Sequence, residues 1–368
     1  MVSVQELYEF IVLLVDAALR DIKAAKVFYD RDLLAEAMYH IEQGSEKMTK
    51  AILAICLCFY GVSGECSDEG VLKCYSEIAV DRKGSVVEPD DFVREIGHDP
   101  AKLLSKLLSI LLRDPRWSLH NVLAACRDLG INQLFELLRK TFDLDFRKMS
   151  DLDLKSIVLR LAKYIEFTLS SICSNVLKGS RLCESVNRLS EEAKKCEETK
   201  NDNICSNLVN NVSEVLSLLS SLMPVKDVWR YLEIRALFEI LHIDELQEFL
   251  EALVNGLIGE RAIHKKVQIA KCMFTVAVSL ILNYTLFYLT SPLYNIIRYP
   301  VRAEKLDICR DESLRKFKDV ENLCSKTFVS SKDVIAEETH VKEFIGEAIE
   351  VLEKTANSLK ETLSSIKT

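Results

Sequence analysis

Residues 21–55 read DIKAAKVFYDRDLLAEAMYHIEQGSEKMTKAILAI, and this stretch decides the fold. Apolar residues recur three or four positions apart on both sides of the short break at residues 30–32, which is the spacing of one helix face. We therefore predict an antiparallel pair of helices over about 4–28 and 32–60, with Asp32 as the N-cap of the second. The buried stripe of the second helix is expected to contain Leu34, Met38, Ile41, Ser45, Met48, Ile52 and Ile55.

The opposite side of this second helix carries charged residues beside the small residue Gly44. Glu46 and Lys50 are four positions apart, in the order that favours an ion pair on a helix. A mixed row of charges usually forms a solvated helix face, whereas convergence with other polar residues would make a small binding site. The row consists of Glu42, Glu46, Lys47 and Lys50.

The composition of the chain indicates an all-α protein. Only 11 of its 368 residues are glycine and 6 are proline, too few for the many tight turns of a sheet-rich fold. A regular apolar stripe also predicts a long final helix over about 341–365. The formal net charge is −8, the opposite sign from proteins that coat nucleic acid along a broad basic surface.

The segment 272–297 contains no charged residue and is long enough to cross a bilayer. Threonine, serine and asparagine are spread through it, however, and Ser291-Pro292 interrupts it. We therefore predict a central core helix over about 265–290 rather than a membrane span. Because the N-terminal residues also lack the features of a secretory signal peptide, we expect a cytoplasmic protein with no membrane partner.

The chain has 12 cysteines, and none of them forms a Cys-x-x-Cys pair of the kind that binds zinc. Buried thiols that act as small hydrophobic residues are the ordinary explanation. The alternative is disulfide formation, for which Cys66 with Cys74 and Cys196 with Cys205 are the candidate pairs. Because disulfides in a cytoplasmic protein are typical of hyperthermophiles, this alternative predicts a thermophilic source.

Further helices are predicted across 113–264, which contains no fixed-period repeat of the kind that solenoids show. The charged run at 191–203 is expected to be an exposed loop between two of them. Just before this region, Asp99 and Pro100 are typical of a helix start, as N-cap and first helical residue. The predicted helices lie over 118–128, 131–141, 151–178, 180–196, 204–222, 225–241 and 244–257.

Four elements occur in an order that resembles the HEPN family of α-helical domains. The first helix is followed by AMYHIEQGSEKMTKA at 37–51, which is similar to the family's second-helix pattern. A helix start, HDPAKLL at 98–104, and an RYP element at 298–300 then match the later family signatures. The resemblance covers 1–112 and 265–368, while 113–264 has no counterpart in it and is predicted to be an all-helical insertion.

The resemblance implies an up-and-down helical bundle that is often dimeric and sometimes works beside a nucleotidyltransferase. Many members are metal-independent ribonucleases of toxin–antitoxin or antiviral systems, in which an arginine and a histidine with four to six residues between them form a composite site across the dimer. Histidine moves protons near neutral pH, and arginine holds the scissile phosphate. Here no histidine lies near Arg298 at that spacing.

We therefore predict a HEPN-like module that binds a nucleotide or a protein, acts as a homodimer and lacks strong catalysis of its own. The alternative is a metal-independent endoribonuclease with an atypical site, acting on RNA. Its weak candidates for catalysis are Arg94 with His98 and Arg235 with His242; Arg113 with His120 has the same spacing as the second pair. The candidate ligand-binding residues, if they converge in the folded bundle, are Lys47, Lys50, His98, Asp99 and Arg298.

No cofactor and no metal are predicted, because the usual sequence signatures are missing. The chain contains no glycine-rich phosphate loop, no zinc-ligand spacing, no Gly-x-Ser-x-Gly elbow and no HExxH helix. Enzyme classes that depend on those motifs are disfavoured.

Overall fold

The computed structural model describes residues 4–61, 154–232 and 261–366, apart from positions 176, 178, 200, 201, 230, 231, 313, 316 and 336–338. These residues are overwhelmingly helical, so the predicted all-α class is confirmed. The helices are α1 (Val4–Tyr29), α2 (Leu34–Gly61), α3 (Leu154–Asn175), α4 (Arg181–Thr199), α5 (Asp202–Leu222), α6 (Lys226–Trp229), α7 (Arg261–Arg298), α8 (Asp307–Arg310), α9 (Lys318–Cys324), α10 (Ser331–Val334) and α11 (Thr339–Ile366).

Four long helices from the two ends of the described chain pack against one another. Helix α2 contacts α1, α7 and α11, and α11 also contacts α1 and α7. The predicted stripes of α2 and α11 face this interior wherever their side chains are described, and the α1 stripe does so except at the half-buried Leu14. The opening hairpin therefore packs directly on the uncharged helix and on the closing helix.

Helix α11 runs antiparallel to α1, and polar contacts follow their whole common length. The Tyr8 hydroxyl donates a hydrogen bond to the Leu363 carbonyl at 3.0 Å. Further along, Lys360 pairs with Asp16 at 2.7 Å, and Lys26 pairs with Glu353 at 3.4 Å. These exposed ion pairs add little stability by themselves, so the alignment rests mainly on the buried apolar face between the helices.

Helices α3, α4 and α5 lie side by side, and α5 joins them to the rest of the fold. Helix α4 packs on both α3 and α5, while α5 contacts α7 and α8. The short α6 adds Trp229, whose ring meets Phe344 of α11 edge-on with centroids 4.8 Å apart. Residues of 154–232 thus share one hydrophobic core with the long helices; the division into a bundle and an inserted domain stays a prediction.

Between α7 and α11 the chain forms a small segment with the only strands among the described residues. Strands β1 (Val301–Arg302) and β2 (Phe328–Val329) pair antiparallel, with Val301 opposite Val329. A 3₁₀ turn (Ala303–Lys305), α8 and α9 lie between the strands. The segment begins directly after Arg298 and returns the chain to the bundle.

The predicted N-cap of α2 is wrong. The helix begins at Leu34, and Asp32 has a positive φ of 57°, which places it in the turn before the helix. Aspartate tolerates this left-handed conformation better than most residues. Its carboxylate instead pairs with Lys342 of α11, a contact between distant parts of the chain.

The predicted loop over 191–203 is also wrong, because residues up to Thr199 continue α4. Ala193 and Cys196 are buried in this half of the helix. The glutamates and lysines on either side of these two residues are good helix formers, so a strongly polar run remains helical once one narrow side is covered.

Helix α7 does not end before Pro292 as predicted; it continues to Arg298. A proline inside a helix costs about 3 kcal/mol, because it removes one backbone hydrogen bond and crowds the preceding turn. Leu293 and Ile296 follow it and are almost completely buried. Their packing outweighs the local penalty.

The uncharged run within α7 forms part of the core, as predicted. From Ile281 to Leu289 all side chains but that of the half-buried Tyr288 are buried. Thr285 satisfies its hydroxyl by donating to the Ile281 carbonyl at 3.0 Å. Within the described residues, no helix combines the length and the apolar character that a membrane crossing requires.

Among the described residues, six cysteines are paired rather than being buried thiols. The predicted pair Cys196–Cys205 is confirmed, and it links α4 to α5. The other two disulfides are Cys173–Cys183 and Cys309–Cys324. The candidate pair Cys66 and Cys74 lies outside the described residues.

We expect Phe344→Ala to lower the free energy of unfolding by about 3–5 kcal/mol, because its ring fills the core between α11 and Trp229. Urea unfolding followed by circular dichroism measures the change. Leu13→Ala is the control, since Leu13 is 66% exposed on α1 and its loss should change stability by less than about 0.5 kcal/mol. Equal effects of the two substitutions would contradict the packing of α11 described above.

Candidate functional site

The end of α7 places an exposed arginine among three tyrosine rings. The Arg298 guanidinium carbon lies 5.2 Å from the ring centroid of Tyr294 and 5.3 Å from that of Tyr299. Tyr39 of α2 is the third ring, with its centroid 6.0 Å from the same atom. Tyr39 and Tyr294 stack on each other with centroids 5.8 Å apart. We call these four residues the Arg298 cluster.

The Arg298 cluster forms because α2 and α7 pack side by side. Tyr294 and Arg298 are four positions apart and therefore lie on the same face of α7. Tyr39 reaches them from α2, and Tyr299 is the first residue after α7. The hydroxyl of Tyr294 accepts a hydrogen bond from Arg298 Nη1.

The Arg298 side chain is a free cation with respect to the described part of the chain. No carboxylate among the described residues lies within ion-pair distance of it, and the residue is exposed. The hydrogen bond to Tyr294 raises the pKa of the Arg298 guanidinium above its ordinary value, with smaller contributions from the neighbouring rings. The site therefore presents a permanent positive charge bordered by aromatic surface.

A second polar group lies beside the Arg298 cluster, and it includes a histidine that the sequence analysis did not single out. The His40 ring meets Tyr39 edge-on at 5.2 Å and stacks on Phe28 at 5.4 Å between centroids. Its Nδ1 lies 3.2 Å from Oδ1 of Asp21 on α1. The other oxygen of Asp21 accepts a hydrogen bond from Lys47. His40 and Lys47 therefore share one carboxylate.

A sequence signal for this group does exist. His40 and Lys47 are seven residues apart, which places them on the same face of one helix. Asp21 is in the helix that the hairpin brings against that face. The positive charge of Lys47, predicted to bind a ligand, is neutralised here by Asp21.

The charged row of α2 is not a solvated face, contrary to the expectation from its sequence. Glu42 is 5% exposed, and Glu46 and Lys50 are each 8% exposed. Lys50 donates to Glu46 at the expected i,i+4 spacing. The Glu42 carboxylate accepts a hydrogen bond from Gln43 at 2.8 Å. Lys50 is thus directed into a buried ion pair and not towards the exposed arginine.

Burial changes the acidity of Glu42. Desolvation is the largest cause that raises the pKa of Glu42 from 4.5 to about 7, and the nearby charge of Glu46 adds to it. The hydrogen bond from Gln43 and the charges of Lys47 and Lys50 act in the opposite direction. Glu42 is therefore partly protonated near neutral pH.

The predicted ligand-binding residues are distributed as follows. Arg298 belongs to the Arg298 cluster, and Lys47 is connected to it through Asp21, His40 and Tyr39. Lys50 belongs to the buried pair. The remaining candidates for binding or catalysis lie outside the described residues: Arg94, His98, Asp99, Arg113, His120, Arg235 and His242.

Within the described residues, no group of three or more histidine, cysteine, aspartate or glutamate side chains has the arrangement of a metal site. Comparison with protein-family models, with curated proteins and with solved structures found no match. The HEPN resemblance therefore rests on the motifs alone, and membership of that family stays a prediction.

Glu42→Gln should remove a pH dependence of stability. Because the pKa of Glu42 is 4.5 when solvated and about 7 when folded, the folded state binds the proton more tightly. Folding therefore weakens as the pH rises from about 4.5 to about 7, by about 3 kcal/mol at most, since each pKa unit corresponds to about 1.4 kcal/mol. The amide of the substituted glutamine side chain stays neutral and avoids this loss.

Urea unfolding between about pH 5 and pH 8 measures the effect. Relative to wild type, the Glu42→Gln variant should become more stable as the pH rises. Glu36→Gln is the control, because Glu36 is an exposed carboxylate near the start of the same helix. If the free energies of unfolding of Glu42→Gln and wild type differ by the same amount at every pH, the raised pKa of Glu42 is contradicted.

Proposed function

We propose that this protein is a HEPN-like helical module that binds a nucleotide at the Arg298 cluster, without strong catalysis of its own. The observation that carries the proposal is an exposed guanidinium among three tyrosine rings and without a carboxylate partner among the described residues. The family resemblance at 298–300 supports the same position.

The chemistry of the cluster suits the two parts of a nucleotide. A guanidinium forms short, charge-assisted and often bidentate hydrogen bonds with phosphate oxygens. Tyrosine rings stack on nucleobases, because every base has an aromatic face. Tyr299 is 60% exposed, so its ring has surface available for a base.

The charge of the protein favours a small ligand over a long polymer. Tight binding along a nucleic acid chain needs many phosphate contacts from lysine and arginine. Here the net charge is −8, and beside the cluster Lys47 is already neutralised by Asp21. One free arginine and a few rings are sufficient for one nucleotide or for a short single-stranded end.

The ribonuclease alternative and the protein-binding form of the proposal remain predictions from the sequence. The pairs Arg94/His98 and Arg235/His242 lie outside the described residues. No contact in the described residues favours cleavage over binding. Three further predictions also rest on the family resemblance. They are a homodimer, a nucleotidyltransferase partner, and a role in toxin–antitoxin or antiviral defence.

Arg298→Gln should weaken nucleotide binding by about 10- to 100-fold, the loss expected when one charge-assisted contact to phosphate is removed. Fluorescence anisotropy with labelled adenosine and guanosine triphosphates measures the affinity. Arg310→Gln is the matched control, since Arg310 is an exposed arginine of the segment that follows α7 and already pairs with Asp307 at 3.4 Å. No binding by wild type, or equal losses in both variants, would overturn the proposal.

The role of the rings is tested at Tyr299, whose aromatic face and not its hydroxyl is proposed to contact the base. Tyr299→Phe should keep the affinity of wild type, whereas Tyr299→Ala should lose about 5- to 100-fold, as removal of one base–aromatic stack does. The same anisotropy titration gives both values. If Tyr299→Ala binds like wild type, the base does not stack on this ring.

A further inference from the structure

The three disulfides of the described residues differ in the exposure of their cysteines and in the groups around their sulfurs. Each links helices that follow one another in the chain: α3 to α4, α4 to α5, and α8 to α9. Thiol–disulfide exchange needs a sulfur that a thiolate can reach and a second sulfur that leaves easily as a thiolate. Access and leaving-group stability therefore decide which disulfide reacts.

Access separates one disulfide from the others at once. Cys196 and Cys205 are each 2% exposed, so an attacking thiolate reaches neither of them in the folded protein. In contrast, Cys173, near the end of α3, is half-buried, and Cys183 is 9% exposed. The Cys173 side of the Cys173–Cys183 disulfide is thus the accessible one.

Two features would stabilise a thiolate at Cys183, and one opposes it: the carbonyl oxygen of Leu177 lies 3.2 Å from Cys183 Sγ. Cys183 is the third residue of α4, a helix of 19 residues, and a helix N-terminus stabilises a thiolate. In addition, the buried hydroxyl of Ser180 donates a hydrogen bond to Cys183 Sγ at 3.2 Å. This hydrogen bond becomes stronger when the sulfur carries a full negative charge.

The Cys309–Cys324 disulfide lacks these surroundings although Cys324 is also half-buried. Attack on Cys324 would expel Cys309, which belongs to a helix of only 4 residues with little dipole of its own. Arg315 lies beside Cys309, but its hydrogen bonds, at 2.9 and 2.6 Å, go to the Cys309 carbonyl oxygen and not to the sulfur. Attack on Cys309 is blocked, since that residue is 1% exposed. Cys324 is moreover the last residue of α9, and a helix C-terminus disfavours a thiolate.

We propose that Cys173–Cys183 is a thiol–disulfide exchange site whose reaction partner is a dithiol. A thiolate of the dithiol attacks Cys173 Sγ and forms a mixed disulfide there, while the Cys173–Cys183 bond breaks and its electron pair goes to Cys183 Sγ. The second thiolate of the dithiol then attacks its own linked sulfur and releases Cys173. The dithiol is oxidised to its disulfide by two electrons, and the protein gains two thiols.

This site is separate from the Arg298 cluster and does not depend on nucleotide binding. Reduction of the disulfide affects α4, because this disulfide links the first turn of α4 to α3. Apart from its two disulfide cysteines, α4 buries only Leu182, Ser185, Val186, Leu189 and Ala193. Reduction therefore removes one of the two disulfides that hold this polar helix to its neighbours.

The test uses the full chain, oxidised with glutathione disulfide and then freed of the reagent. Dithiothreitol is added, thiols are trapped with N-ethylmaleimide at successive times, and peptide mass spectrometry locates the label. Cys173 and Cys183 should be labelled about tenfold faster than the other four paired cysteines. Equal rates, earlier opening of another disulfide, or failure of these two cysteines to pair on oxidation would overturn the proposal.

Ser180→Ala tests the leaving group. It should slow opening of Cys173–Cys183 about three- to tenfold, because the thiolate loses its hydrogen bond. Opening of Cys309–Cys324 in the same sample is the internal control and should be unchanged, and circular dichroism checks the helix content. An unchanged rate at Cys173–Cys183 contradicts the role of Ser180.

A second variant keeps the test decisive if Ser180→Ala does not fold. In Cys173→Ser the Cys183 thiol is free, and the pH dependence of its alkylation by iodoacetamide reports its thiolate fraction. The midpoint should lie below about 8.5, the ordinary value for a cysteine thiol. A midpoint at or above that value shows that α4 and Ser180 do not stabilise the thiolate, and the proposal fails.

Discussion

The structure depends on the burial of one face of α2 against α1, α7 and α11. Met38, Ile41, Met48 and Ile52 on this face are completely buried. Isolated helices are marginal in water, so helices of this kind owe most of their stability to such packing. Since α7 and α11 come from the other end of the chain, the opening hairpin is stable only when both ends have met.

The same contact assembles the Arg298 cluster. Tyr39 comes from α2, whereas Tyr294 and Arg298 come from the last turns of α7. Had α7 ended at Pro292, neither Tyr294 nor Arg298 would lie on a helix face directed at α2. The buried residues after the proline therefore serve the fold and the proposed site together.

Covalent and non-covalent stabilisation belong to different parts of the protein. The described disulfides lie in α3–α5 and in the segment between α7 and α11, and none of them involves α1, α2 or α11. The long helices of the bundle are held by burial and by surface ion pairs instead. A change of redox state is therefore expected to act first on α3–α5, which contribute none of the four residues of the Arg298 cluster.

The sequence by itself determined the all-α class, the long helices and most of their buried faces, because helical periodicity is a local property that apolar spacing records. It also indicated Arg298 and the pair Cys196–Cys205. The tertiary structure decided that α7 passes through Pro292, that Glu42 and Lys50 are buried, and that His40 meets Asp21. These outcomes depend on which distant residues cover a side chain, and no local pattern contains that information.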